Sequence, residues 1–207
     1  MGHESRFWNR AAKRYYAKPV GNPEAYEEKL RLTQQLLRPD MNLLEFGCGT
    51  GSTAIRHASR VNHVDIVDIS DAMLDIARKQ ASDAGVENIS FECADIAQFN
   101  ADDESYDVIL GMSIIHLLEN PEDIISSVHR WLKPGGVFIS STACLGDKMG
   151  WFRYIVPIGR AVRFMPYVNV FTTDKLVQNL ETAGFAIEHQ WLPEGSMGTF
   201  LICRKAA

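Results

Sequence analysis

No stretch of the chain reaches the roughly 18–20 uninterrupted apolar residues that a membrane-spanning helix needs. The most apolar segment, Trp151 to Phe171, is broken by Arg153, Arg160 and Arg163 and by Pro157 and Pro166. The opening Met-Gly-His-Glu-Ser-Arg lacks a signal-peptide core, and Arg6 stands where a myristoylation signal wants Ser or Thr. The expectation is a soluble, cytoplasmic protein without stable membrane insertion. Cysteine is scarce: Cys48, Cys93, Cys144 and Cys203 lie far apart, with no CxxC pair and no Cys/His ligand spacing. That excludes a zinc ribbon and offers no disulfide framework. Basic residues are outnumbered, 21 Lys and Arg against 26 Asp and Glu, for a formal net charge of -5. A nucleic-acid partner is therefore disfavoured. No acidic cluster of the kind that holds Mg²⁺ stands out, so no metal is expected.

What is present describes one compact α/β domain. The 207 residues are 46% hydrophobic and 23% charged, with 15 Gly and 8 Pro, and show no repeat, low-complexity tract or linker. Asn22-Pro23-Glu24 reads as a helix cap, a first-turn proline and a first-turn acid. Tyr26, Leu30, Thr33 and Leu37 then share a face, and Pro39 ends that helix. Strands are expected at Met41–Phe46, His63–Asp68, Ile89–Cys93, Tyr106–Met112 and Val137–Thr142, the last after a turn at Lys133-Pro134-Gly135-Gly136. Ser70 caps one intervening helix, Asn120-Pro121-Glu122-Asp123 opens another, and Thr173 caps a third that closes at Gly184. Phe185–Leu192 and Met197–Arg204 are joined by four residues, too few for a parallel crossover, so they pair as an antiparallel hairpin. The fold class is α/β: a doubly wound, mostly parallel sheet ending in a C-terminal antiparallel hairpin.

In such sheets the ligand lies beyond the carboxyl ends of the strands. Gly47, Gly49 and Gly51 follow the first strand, Asp68 closes the second and Asp95 follows the third. Missing side chains let backbone approach a ligand, an acid after the second strand suits a ribose diol, and an acid after the third suits an adenine amine. Together they imply an adenosine-bearing cofactor. A dinucleotide loop wants a third small residue where Ser52 stands, and Glu45 would repel a pyrophosphate. The same carboxylate attracts an ammonium and a sulfonium, which favours S-adenosylmethionine over NAD.

Leu43-Leu44-Glu45-Phe46-Gly47-Cys48-Gly49-Thr50-Gly51 resembles the first motif of class I S-adenosylmethionine-dependent methyltransferases, of the small-molecule type. Asp68-Ile69-Ser70-Asp71-Ala72-Met73-Leu74 resembles their second-strand motif, and Cys93-Ala94-Asp95-Ile96 their adenine-contact motif. Tyr106-Asp107-Val108-Ile109, Ser113 to Leu117 and Leu132-Lys133-Pro134-Gly135-Gly136 are similar to their strand-four to strand-five region. The resemblance covers about residues 7–145. It implies a seven-stranded Rossmann-like sheet, with a helical lid at 1–38, a cofactor-binding core at 41–142, a substrate-lid insertion at 145–172 and the last helix and hairpin at 173–207. Glu45, Phe46 and the loop through Gly47, Cys48, Gly49 and Gly51 would hold the methionine part. Asp68 would take the ribose, with Ile69, Met73, Ala94, Asp95 and Ile96 around the adenine. Gly111 to Ser113 would floor the site near the sulfonium. Phe7-Trp8-Asn9 through Tyr16-Ala17-Lys18-Pro19 resembles the N-terminal lid, with Tyr16, chosen over Tyr15, and Tyr26 closing on the cofactor.

Methyl transfer from a sulfonium needs orientation and desolvation more than a strong base. Where the acceptor is a phenol, His116, just past the fourth strand, is the candidate base; the bland alternative is a packing histidine. His189 reads as a packing or surface residue, Cys48 as merely small, and Asp65 as solvent-facing or pre-strand. Trp151, Ile155, Ile158 and Val162 would share one face of a broken helix, with Arg153, Arg160 and Arg163 opposite. Trp151, Phe152 and Arg153 are thus expected in an apolar cap over a hydrophobic or aromatic small-molecule acceptor. Cover of the sheet face, a dimer contact or membrane-surface association would explain the same pattern. No Asn-Pro-Pro-Tyr-like motif follows the fourth strand, where Gly111-Met112-Ser113-Ile114 stands, so methylation of a flipped base is disfavoured. The expected protein is a monomer or homodimer. A non-catalytic adenosine-binding scaffold is the alternative from another functional class.

Overall fold

The computed structural model describes residues 2–156 and 165–207. Two helices lead, α1 (His3–Ala17) and α2 (Pro23–Gln34), followed by β1 (Asn42–Phe46), α3 (Ser52–Ala58), β2 (His63–Asp68), α4 (Asp71–Asp83) and β3 (Ile89–Cys93). Next come β4 (Tyr106–Met112), a 3₁₀ turn (Ile115–Leu117), α5 (Pro121–Trp131) and β5 (Leu132–Ala143). A short α6 (Gly146–Met149) and a second 3₁₀ turn (Gly150–Tyr154) precede α7 (Thr173–Thr182), β6 (Phe185–Trp191) and β7 (Gly198–Lys205).

The strands form one seven-stranded sheet in the order β3-β2-β1-β4-β5-β7-β6. All run parallel except β7, which pairs antiparallel with both β5 and β6, as the short hairpin connection requires. The central strands are apolar on both faces because helices cover both faces. Leu44, Phe46, Ile109 and Phe138 join α5 and α7 residues on one side. Their neighbours Leu43, Val108, Leu110 and Ile139 join α3 and α4 residues on the other. This one-residue alternation is the two-residue period of a strand read through two separate cores.

Strands β2, β3 and β4 fall at the expected residues. Asn22 caps α2 by accepting from the Ala25 N–H, and Ser70 caps α4 by accepting from the Met73 N–H. Beyond one-residue shifts at β1, β6, β7 and the end of β5, three boundaries differ from expectation. Helix α2 ends at Gln34 rather than at Pro39, because the chain tightens into i→i+3 bonds from Leu36 to Thr33 and from Leu37 to Gln34. Strand β5 starts at Leu132, with the expected turn absorbed as a bulge: Tyr106 pairs Leu132, the next pair is Val108 with Val137, and Gly135 takes φ +75°. Thr172, not Thr173, caps α7, accepting from the Lys175 N–H.

Candidate functional site

Strand β1 lies between β2 and β4, so the chain's crossovers diverge there and leave a crevice at the carboxyl ends. A cleft of about 870 Å³ occupies it, walled by the loops after β1, β2, β3 and β4, by α5 and by α1. Of the sequence-derived candidates, Gly47, Gly49, Asp68, Ile69, Met73, Ala94, Asp95, Ile96, Ser113 and His116 line it.

Backbone geometry makes the first loop. Gly47 has φ +60°, and a Cβ there would fall 2.4 Å from Ile114 Cγ1, so the exit of β1 is pressed against the exit of β4. Gly51 serves packing instead of lining the cleft. Its missing Cβ would stand 2.9 Å from the Ala77 Cβ, so its absence lets the start of α3 lie against α4. Cys48 is half-buried behind the loop, and burial pushes its thiol well above the ordinary range, which leaves no thiolate chemistry.

Asp68 is only 8% exposed and ties two loops together, accepting the Gly49 N–H on Oδ2 at 2.8 Å and the Ser70 N–H on Oδ1 at 2.9 Å. Each oxygen keeps a further lone pair for a ligand. Burial raises its pKa, opposed by those two hydrogen bonds. Asp95 faces the cleft while its Oδ1 accepts the Ala97 N–H at 3.0 Å, so it caps its own turn as well. Glu45 lies behind the loop, 2% exposed, and its Oε2 has no partner. Burial first, then the charge of Asp68, pushes its pKa to about 8 against the Ala54 backbone N–H. An orphaned carboxylate oxygen beneath a glycine cradle fits the ammonium of an S-adenosylmethionine tail, and Asp68 fits its ribose. No Lys or Arg among the described residues lines the cleft, which suits a cationic cofactor.

Helix α1 covers the opening, held to the start of α4 by Asn9 Oδ1, which accepts from Ser70 Oγ at 2.7 Å and from the Ala72 N–H at 3.2 Å. The tyrosine facing the cleft is Tyr15, and the choice of Tyr16 is corrected. Trp8 and Tyr15 are two helical turns apart and meet edge to face at 6.2 Å, whereas Tyr16 is rotated away and 54% exposed. The Tyr15 ring lies 3.8 Å from where a Gly49 Cβ would be. The residue is half exposed, but burial raises the pKa of its hydroxyl, and Asp68, Glu45 and Tyr26 raise it further. Tyr26 stays outside the lining; its hydroxyl sits 3.4 Å from Thr53 Oγ1, behind the loop with Glu45.

Other expectations are corrected on the acceptor side. Phe46 is in the core, stacked on Phe138 at 6.2 Å. Gly111 is there too, since a Cβ would meet Phe46 at 2.8 Å; Met112 and Ser113 form the floor without it. Ser113 takes φ +60° and donates its N–H to Ser141 O at 2.6 Å. Trp151, Phe152 and Arg153 do not line the cleft: Trp151 is 55% exposed and edge-on to Phe152, and Arg153 bonds back to Gly150 O. Pro157, Ile158, Arg160, Val162 and Arg163 lie outside the described residues. Asp65 keeps a third of its side chain exposed while it accepts from the Tyr106 hydroxyl at 2.9 Å. His189 packs edge-on to Phe200 at 6.1 Å. His116 lines the cleft on its 3₁₀ turn, with Nδ1 buried and unpartnered, and burial lowers its pKa to about 4. Its carbonyl accepts the Asn169 N–H at 2.7 Å.

Sequence reasoning missed Trp8, Phe99, Ile114 and Tyr167, which also line the cleft. The seven-residue spacing of Trp8 and Tyr15 was a usable signal for the first; the others are ordinary apolar or aromatic residues gathered by folding.

The family model of a methyltransferase domain matches residues 43–136. A ubiquinone biosynthesis O-methyltransferase of Coxiella burnetii is 29% identical over 111 residues, 54% of this chain and 47% of that protein. The chain thus spans about half the length of the curated relatives it matches first. The N-methyltransferase NodS of Bradyrhizobium japonicum, solved with S-adenosylhomocysteine, superposes with a TM-score of 0.73 at 18% identity, over 97% of this chain and 99% of that one. The [4+2]-cyclase SpnF superposes with a TM-score of 0.71 at 19% identity, over 89% of this chain and 82% of that one. At such identities these structures speak for the fold alone, and one carries a different chemistry on it. The methyltransferase-domain model thus matches a little under half of the chain, the stretch that carries the glycine loop, Asp68 and Asp95.

Proposed function

We propose that this chain binds S-adenosylmethionine in the cleft and transfers its methyl group to a small, apolar or aromatic acceptor. The observation that carries the reading is Glu45, a buried carboxyl with an unpartnered oxygen behind a glycine loop. In that place it costs stability unless a ligand supplies the missing donor. When bound, the cofactor supplies a methyl group on a sulfonium, which leaves without acid assistance. Glu45 and the backbone of Gly47 to Gly49 would hold the methionine end, Asp68 the ribose, and Ile69, Met73, Ala94, Asp95 and Ile96 the adenine. Trp8 and Tyr15 exclude water from above.

Phe99, Ile114 and Leu118 make the remaining wall apolar, which supports an acceptor with a hydrophobic body. His116, neutral at pH 7, lines the cleft and its imidazole can accept an O–H or N–H of that molecule. With a pKa near 4 it orients the acceptor proton more effectively than it removes it. The experiment is release of S-adenosylhomocysteine when the protein is given S-adenosylmethionine and the small-molecule fraction of a cell extract. Turnover lost in Asp68→Ala supports the reading. Cofactor binding without turnover in any fraction overturns transfer in favour of a binding scaffold.

A further inference from the structure

We propose that Lys29 is a specificity residue that anchors the methyl acceptor through an acidic oxygen group, a carboxylate or an ionised phenol; this rests on the methyltransferase reading above. Lys29 projects from α2 to the carboxyl end of β5, where its Nζ donates to Ser141 Oγ at 2.8 Å. That hydroxyl is neutral, and no carboxylate lies within 4.0 Å of the ammonium among the described residues. Burial lowers the lysine's pKa. A half-buried ammonium without a counter-charge is an unusual choice unless an anion comes to it.

Its position relates it to the cleft floor. Ser141 pairs in register with Met112, and its carbonyl accepts the Ser113 N–H. Met112 and Ser113 both line the cleft, so Ser141 and the ammonium bonded to it lie along the strand next to the floor, just outside the lining of the empty cleft. Tyr26, one turn earlier on the same helix, lies behind the glycine loop near Glu45. One face of α2 therefore runs from the cofactor's methionine end to the β4–β5 edge. The cleft itself is lined by Glu4, Asp68, Asp95, Glu119 and Asp123. An acceptor bearing an oxyanion is repelled there and attracted to Lys29, which fixes its orientation across the cleft.

The test measures small probes by ligand-observed NMR titration, on ligand-free protein and on protein loaded with S-adenosylhomocysteine. Benzoate represents the carboxylate, 4-nitrophenolate the phenolate, and benzylamine the opposite charge. The expected result is binding of at least one acidic probe about tenfold or more tighter than benzylamine. Lys29→Met or Lys29→Gln weakens it about tenfold or more, while Lys29→Arg keeps it within about threefold. S-adenosylhomocysteine affinity and thermal unfolding of the variants establish that they fold. Should every neutral variant unfold, the wild-type preference for acid over amine decides alone. Equal acid binding in wild type and Lys29→Met, tighter binding of benzylamine, or no acid binding at up to roughly 20 mM overturns the assignment. Failure of S-adenosylhomocysteine to bind the wild type indicts the methyltransferase reading instead, and the ligand-free titration still judges Lys29.

Discussion

On the β2–β3 side of the cleft the polar side chains are held by backbone N–H groups. Asp68 is fixed by Gly49 and Ser70, Asp95 by Ala97, and the lid is fastened there by Asn9. On the β4–β5 side three polar side chains lack such backbone partners. His116 Nδ1 has no partner, Ser113 stands at positive φ, and Lys29 rests on a neutral serine. One wall is preorganised for a ligand of fixed shape, which lowers the ordering cost of binding it. The other leaves its donors and acceptors to be completed by a second molecule. This is the division expected between a constant cofactor and a particular acceptor.

The contrast is tested most severely at the joint between the walls. Gly47→Val places a branched side chain at φ +60° and within 2.4 Å of Ile114. Urea unfolding should register a loss of about 3 kcal/mol or more, with no measurable S-adenosylhomocysteine binding. Asp68→Ala removes the fixed wall's anchor. Calorimetry should give about 100-fold weaker cofactor binding, and unfolding a loss of about 1–2 kcal/mol.

Glu45→Gln separates binding from stability. The folded-state pKa of about 8 is raised above the ordinary 4.5, so the folded protein holds the proton through that window and loses stability as pH rises across it. The variant lacks that loss, and at pH 8 the empty protein should be roughly 1–3 kcal/mol more stable than wild type, yet bind the cofactor about tenfold more weakly. His57, fully buried with both ring nitrogens unpartnered, has the opposite sign. Its pKa falls from 6.5 to about 4, so its cost appears as pH drops through that interval. His57→Leu should reduce acid sensitivity there by about 1 kcal/mol, read as the unfolding midpoint at pH 5 against pH 7. The smallest effect belongs to the lid. Tyr15→Phe should weaken cofactor binding about threefold, and Tyr16→Phe should leave it unchanged.

The fixed wall could be read from the sequence because its residues are contiguous. Each short loop follows a strand whose apolar run is bounded by turn residues, and Gly47, Asp68 and Asp95 mark the three exits in order. Strand boundaries were clear for the same reason, except where β5 hides its turn as a bulge and where α2 tightens before Pro39. The rest of the cleft lining is assembled from Trp8, Phe99, Ile114 and Tyr167, which only folding brings together. Tyr15 and Tyr16 differ by one helical step, which a motif comparison does not resolve and a helical period does. Trp151 and Phe152 carried an apolar signal, but apolarity does not say which way a surface segment turns.

The most direct measurement is calorimetric titration of S-adenosylhomocysteine at pH 7 in buffers of different ionisation enthalpy, which counts protons exchanged on binding. A carboxyl with a pKa near 8 in the empty protein must ionise to receive the ligand's ammonium. The account predicts release of close to one proton in wild type and none in Glu45→Gln, with affinity rising towards pH 8. Binding of equal strength in both proteins without proton release would contradict it.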